Sequence, residues 1–427
     1  MRAPPRKATL LPILAGKASQ EWGPRVTWFP RDSHTLDRKT LGISSEAGAV
    51  EPTVAVICQY DRKGQADRRQ VHVLKYLAAV IPSSHIIRDS SSPLESRAPA
   101  LSLVNVTRAT ARGAYGASSS LSRRAAAGPF VGDFPDPSII GDGHGLWFAY
   151  GTSAGDQNLP VVVSNDVKSW SSPQDSMPNV GAWVDMNVPA PKIWAPDVVR
   201  ADNLDYVMYY TAAQKGGRHC IGVATSRSPT GPFSAHDSPI ACNDDGGGLI
   251  DAAGYDDGTN RWIVWKVDGS ALGGATHCIG GGTSDVYIST AIQITRMERD
   301  AVTLAGPTKT IFDNNGAGDD GIVEAPSLAR AGDGFVLFYS SQCYASDNYD
   351  IKYAWSSTVD GDYERKGTLL TTAMTNNGIY GPGGLDIDWN GRTAVFHGRT
   401  SPGEGATGER SLFTAELSVN GQDVGVQ

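Results

Sequence analysis

The chain has 427 residues, 40% of them hydrophobic, and a formal net charge of −8. No run of about 18 apolar residues occurs, so no membrane-spanning helix is expected. Residues 1–125 carry 19 Lys+Arg and 9 Asp+Glu, leaving 18 basic and 36 acidic groups for the remainder; a body this acidic repels phosphate, which argues against nucleic acid as its partner.

In chain order the first segment, MRAPPRKATLLPILAG, starts basic and carries a short apolar patch, too brief and too interrupted by proline for a secretion signal. VHVLKYLAAVI at 71–81 has the texture of a signal peptide's apolar region but lies internally. The basic residues here are scattered rather than blocked, which favours a poorly structured leader over a nucleic-acid-binding arm. SSSLSRRAAAGPF at 118–130 reads as a linker. Residues 1–125 are therefore expected as a basic leader and 126–427 as one domain, longer than the usual domain length, as large all-β folds are.

From residue 147 one texture recurs: an aromatic-rich strand, a turn and a second strand. WFAYGTS (147–153) precedes PVVVSND (160–166), and YVMYYTAA (206–213) precedes CIGVATSRSPTGPF (220–233). WIVWKVDG (262–269) precedes DVYISTAI (285–292), FVLFYSSQ (335–342) precedes DIKYAWSSTVDGDY (350–363), and TAVFHGRT (393–400) precedes SLFTAELS (411–418). The leading strands step by 59, 56, 73 and 58 residues. Five copies of one unit at a near-constant period mark a repeat architecture. Antiparallel units repeated around an axis make a propeller, which protects its sheet edges by closure. The shared strand chemistry, beyond the spacing, favours this over a β-sandwich. The expected fold is all-β, a five-bladed β-propeller.

An acid embedded in a short apolar run precedes each leading strand: Asp136 in DFPDPSII, Asp197 in IWAPDVV, Asp251 in GLIDAAG, Glu324 in IVEAPSL, and Asp386 or Asp388 in GGLDIDW. The first four lie 9 to 11 residues ahead of that strand, which predicts equivalent places in successive blades. The first strand of each propeller blade lines the central channel, so these acids should converge on one axial pocket. Carboxylates among apolar and proline residues are costly to desolvate, and several together raise one another's proton affinity. Such a cluster suits acid–base chemistry. Trp194, three residues before Asp197, is either a pocket wall or an ordinary buried tryptophan between blades.

Cys220, Cys242, Cys278 and Cys343 fall in the body and allow three disulfide pairings, among which the sequence does not choose. An even count in a turn-rich body is compatible with an oxidising compartment, and an extracellular location is expected.

Cleavage of a glycosidic bond uses one carboxylic acid to protonate the leaving oxygen and one carboxylate to activate water from the other face of the sugar. DFPDPSII, IWAPDVV and IVEAPSL, in this order on successive repeats, resemble glycoside hydrolase family 43 over roughly 130–420. The resemblance implies a five-bladed propeller that hydrolyses α-L-arabinofuranosyl or β-D-xylosyl linkages by inversion. It implies Asp136 as general base, Asp197 as the acid that orients and tunes the proton donor, and Glu324 as general acid. Asp133 is the nearest rival to Asp136 and is expected at the channel rim, whereas Asp251 matches no catalytic position of the family. Trp194 and His397 are the candidate substrate contacts. No cofactor is implied as required. Some members carry a metal-linked His after Gly-Pro-Gly, where this chain has Gly384, so the sequence does not support a channel calcium ion. The implied substrate is an arabinose- or xylose-containing polysaccharide or oligosaccharide of the plant cell wall. Arabinose release is favoured because larger xylosidase relatives append a β-sandwich. A β-D-xylosidase and a non-catalytic sugar-binding propeller are the alternatives.

Overall fold

The computed structural model describes residues 26–27, 38–43, 56–59, 131–278 and 285–427. The chain divides into two compact units, Met1–Arg108 and Ala109–Gln427. In the first, strands Val26–Thr27, Arg38–Ile43 and Val56–Gln59 form an antiparallel sheet in that order. The rest of the expected leader, its boundary at 125/126 and the apolar stretch at 71–81 lie outside the described residues. Among the described residues no helix is long and apolar enough to cross a membrane.

The described residues of the second unit form the five-bladed β-propeller. Blade 1 comprises Ser138–Gly141, Trp147–Tyr150, Pro160–Ser164 and Gln174–Asp175. Blade 2 comprises Ile193–Arg200, Tyr206–Ala213, His219–Ser226 and Ser234–Ala235, with Ala241–Cys242 added beside its third strand. Blade 3 comprises Leu249–Asp256, Arg261–Val267, Ile292–Met297 and Lys309–Phe312. Blade 4 comprises Val323–Ala331, Gly334–Ser341, Asp350–Ser356 and Glu364–Leu370. Blade 5 comprises Tyr380–Ile387, Thr393–Arg399, Ser411–Asn420 and Asp423–Val426. Successive first strands touch one another around the ring, blade 5 against blade 1 included. Val131–Asp133, just ahead of blade 1, pairs with the third strand of blade 5, so the two ends of the propeller sequence share a sheet.

The aromatic and β-branched second strands are deeply buried; every residue of Tyr206–Ala213 and of Gly334–Ser341 is buried. They pack between neighbouring sheets, as where Val264 of blade 3 shares a core cluster with Leu337 and Tyr339 of blade 4. Each such side chain stabilises the fold by about 1.5–3 kcal/mol. The longer step before blade 4 is explained by the segment between Val267 and Ile292, which leaves blade 3 through a 3-10 turn at Gly269–Leu272. Disulfide Cys278–Cys343 ties this segment to blade 4, and Cys220–Cys242 closes the outer part of blade 2.

Each first strand carries the same local kink, which in blade 1 lies two residues before the strand starts. A residue with φ between 40° and 58° recurs at Asp136, Ala195, Asp251, Ala325 and Gly384. In blades 2 to 5 the strand register slips at this point, the mark of a β-bulge. Four of these five positions hold L-residues in the left-handed region, a conformation that persists only where the surroundings over-determine it. Here a side chain from the preceding blade supplies part of that support. Thr152 Oγ1 accepts the Ala195 N–H at 2.8 Å, and Thr211 Oγ1 accepts the Asp251 N–H at 3.1 Å. Ser340 Oγ accepts the Gly384 N–H at 2.9 Å, and His397 Nδ1 accepts the Asp136 N–H at 2.9 Å.

Candidate functional site

The kink separates the acids by level. Asp136 and Asp251 occupy the kink itself, Asp197 and Asp386 lie two residues after Ala195 and Gly384, and Glu324 lies one residue before Ala325. They are therefore not at equivalent places in successive blades, as their similar spacing to the second strands suggested. Strand alternation and the extra bulge residue turn them to different depths of one channel. Asp136, Asp197, Asp251 and Asp386 all line an axial cavity of about 40 Å³. Asp197 and Asp386 also border a cavity of about 940 Å³ where the first strands end.

Asp136 lies among cations and donors. Arg410 Nη1 donates to Oδ1 at 2.8 Å, Thr152 Oγ1 donates to Oδ2 at 2.7 Å, and His397 Nδ1 lies 3.4 Å from Oδ1. Burial favours the neutral carboxyl, but Arg410 and the other partners outweigh it and hold Asp136 below the ordinary carboxylate range. Asp133 is exposed at the rim, where its Oδ1 accepts the Arg410 N–H. Arg410 also borders a cavity of about 520 Å³ with Pro135, Gln157, Asn158 and Lys192.

Glu324 is held at both oxygens. Lys266 Nζ donates to Oε2 at 2.8 Å and the Tyr349 hydroxyl donates to Oε1 at 2.7 Å. Tyr349 reaches it because Gly383 has no side chain: a Cβ there would fall inside the tyrosine ring. Asp251 sits beside this group, its Oδ2 accepting the N–H of Ala325 at 3.0 Å. Burial, then the charge of Glu324, raise the Asp251 carboxyl to about 8.

Asp197 is 7% exposed and accepts the Gly254 N–H at 2.8 Å, a link from blade 2 to blade 3. Burial and the neighbouring Asp386 push it well above the usual range. Asp386 is raised to about 6, chiefly by burial, and joins blades 4 and 1 by accepting from Ser327 Oγ and the Ile139 N–H. Asp388 accepts the Gly141 N–H at 2.9 Å.

Trp194 shares with Glu324 the position just before the kink. Its ring lies 4.0 Å from that of His219, and its Nε1 donates to the Pro191 carbonyl. His397, expected as a substrate contact, is fully buried and spends Nδ1 on the backbone of Asp136. Burial and the Arg410 cation lower it to about 3, so it is neutral. Its observed contacts position Asp136. Among the described residues no group of three or more His, Cys, Asp or Glu is arranged to hold a metal ion. At Gly384 a Cβ would come within 2.9 Å of His397 Nδ1.

Sequence reasoning missed Lys266, Arg410 and Tyr349. Lys266 had a local signal, a lone cation inside the apolar run WIVWKV. Arg410 and Tyr349 had none, being 274 and 25 residues from the carboxylates they contact.

The family model for glycosyl hydrolases family 43 matches residues 128–421. A xylosidase/arabinosidase of Bacteroides ovatus is 26% identical over 251 residues, covering 54% of this chain and 71% of its own. A probable arabinan endo-1,5-alpha-L-arabinosidase A of Aspergillus flavus is 25% identical over 274 residues, covering 59% of this chain and 76% of its own. Among solved structures, a thermostable family-43 glycoside hydrolase superposes with a TM-score of 0.58 at 23% identity, covering 70% of this chain and 93% of that one.

Proposed function

The chain belongs to glycosyl hydrolases family 43 and is a glycosidase, and from that premise we propose that it releases L-arabinose units from arabinan or arabinoxylan with inversion, Asp136 acting as general base and Glu324 as general acid. The carrying observation is the contrast between the two carboxyl environments. Asp136, paired with Arg410 and Thr152, is kept ionised and suited to take a proton from water. Glu324 stands beside Asp251, whose own carboxyl is raised to about 8 by burial and by the charge of Glu324, so two acids share one desolvated site. Water attacks the anomeric carbon as Asp136 takes its proton, the glycosidic C–O bond breaks, and the leaving oxygen takes the proton of Glu324. This chemistry needs only carboxylates and water, so no cofactor enters it. Trp194 offers an aromatic face at the level of Glu324.

The tuning role expected of Asp197 passes in this reading to Asp251. Asp197 is engaged with Asp386 and with the backbone of blade 3, whereas Asp251 adjoins Glu324. A negative neighbour makes an acid keep its proton to higher pH. Asp251→Asn is therefore expected to move the alkaline limb of kcat/KM to lower pH. Asp197→Asn should leave that limb in place and lower thermal stability. Overlapping pH profiles for wild type and Asp251→Asn would return the question to Asp197.

Arabinan is favoured by the similarity to the probable arabinan endo-1,5-alpha-L-arabinosidase A of Aspergillus flavus, while the similarity to the xylosidase/arabinosidase of Bacteroides ovatus makes β-D-xylosidase action the alternative. The test is product analysis on debranched arabinan and on arabinoxylan side by side, with NMR of the first-formed anomer. The expected products are arabinose or arabino-oligosaccharides with inverted configuration. Xylose as sole product would select the alternative, and no turnover of either polymer would leave a sugar-binding propeller. An extracellular location is supported by disulfides Cys220–Cys242 and Cys278–Cys343, which persist in oxidising compartments.

A further inference from the structure

The propeller has a repeated interblade hydrogen bond with one exception. Thr211, Lys266, Ser340 and His397 sit at the same register of their second strands, opposite Trp194, Ile250, Glu324 and Gly383, the residues just before the kinks. Thr152 stands at the matching distance in blade 1, two residues past Tyr150, the partner of Ser138. Thr152, Thr211, Ser340 and His397 each accept the N–H of the kinked residue in the next blade. Blade 3 cannot follow this rule, because an ammonium group has no lone pair to accept with. The Ala325 N–H is taken by the Asp251 carboxylate instead.

An acceptor position has thus been given to a cation, although a threonine or serine would complete the ring. Lys266 is 2% exposed, and burial of its charge is the largest influence opposing ionisation. Glu324, Asp268 and Asp251 overcome that cost and hold it above the ordinary lysine range. Its Nζ lies 2.8 Å from Glu324 Oε2, 3.3 Å from Asp268 Oδ1 and 3.4 Å from Ser270 Oγ.

We infer that Lys266 is a positioning residue for the proton donor: its ammonium confines the transferable proton to Oε1 of Glu324 and balances the negative charge left when that proton moves to the leaving glycosidic oxygen. The inference rests on the reading of Glu324 as general acid. Lys266 at Oε2 can only donate, whereas the Tyr349 hydroxyl at Oε1 can also turn and accept, so the proton is accommodated on Oε1. As the glycosidic C–O bond breaks, the proton passes from Oε1 to the departing oxygen. Glu324 becomes a carboxylate and the Lys266 ammonium remains paired with it.

The test compares Lys266→Met, Lys266→Thr and Glu324→Gln on two substrates, a nitrophenyl arabinoside and an unactivated arabino-oligosaccharide. Lys266→Thr inserts the residue that stands at this register in blades 1 and 2, which protects folding. The readout is the ratio of kcat/KM on the two substrates, which does not depend on the fraction of correctly folded enzyme. Both lysine variants are expected to lose about 10- to 100-fold on the oligosaccharide, the worth of one charge-assisted hydrogen bond, and little on the nitrophenyl substrate. Glu324→Gln should change the ratio in the same direction and further. An unchanged ratio in both lysine variants, with Glu324→Gln still selective, would overturn the inference and leave Lys266 a structural residue. An unselective Glu324→Gln would instead overturn the reading on which the inference depends.

Discussion

Glu324→Gln is expected to slow hydrolysis of an unactivated arabino-oligosaccharide by about 10²–10⁴-fold, and that of a nitrophenyl arabinoside far less. The difference follows from what each leaving group needs. A sugar alkoxide is too basic to depart without a proton, so the barrier rises when the donor is gone. A nitrophenolate departs largely unaided. Glutamine preserves the shape of the site: its carbonyl oxygen can accept from Lys266 or Tyr349, which hold the two ends of the native carboxyl. Loss of the fold is therefore not the expected cause of the lost rate, and a melting curve beside the kinetics checks this. Equal slowing on both substrates would remove Glu324 from the donor role.

Asp136→Asn is expected to slow both substrates alike, by about 10²–10⁴-fold. Water must be deprotonated whatever group leaves, and an amide cannot take that proton. The backbone of residue 136 should stay in place, because its N–H bond to His397 Nδ1 does not involve the side chain. Arg410, however, loses its anionic partner at 2.8 Å, and breaking such a partly buried pair lowers stability as well. The two effects separate by temperature: the rate loss should persist well below the melting transition. A variant that keeps wild-type rate on the oligosaccharide but not on the nitrophenyl substrate would show that Asp136 is not the base.

Much of the fold could be read along the chain. The second strands expected from 147, 206, 262, 335 and 393 begin at Trp147, Tyr206, Arg261, Gly334 and Thr393. They were legible because their side chains are buried in long apolar and aromatic runs, which shows in composition alone. The acids ahead of them were legible for the same reason, as charges where none is cheap. The kink was not legible, since Asp136, Ala195, Asp251, Ala325 and Gly384 have no single residue type common to all five. The error that followed was specific. Counting back to the second strand placed Asp197 and Glu324 at one level, and the bulge separates them by three positions relative to the kink.

The sequence by itself determined the number of blades, the order in which they follow and which strand of each carries the acids. These are local matters, set by burial periodicity and turn residues within about 60 positions. Only the tertiary structure decided which acids act on one another and which cations reach them. Asp136 meets Arg410 and His397 because closure of the ring brings blade 5 against blade 1, across 274 and 261 residues. Glu324 meets Lys266 because adjacent blades present the same register to the channel, across 58 residues. The depth of each acid follows from a one-residue bulge in a twisted strand, and the side-chain direction of a strand reverses with every residue. A shift too small to alter the sequence pattern is therefore large enough to move a carboxylate from one level of the channel to another.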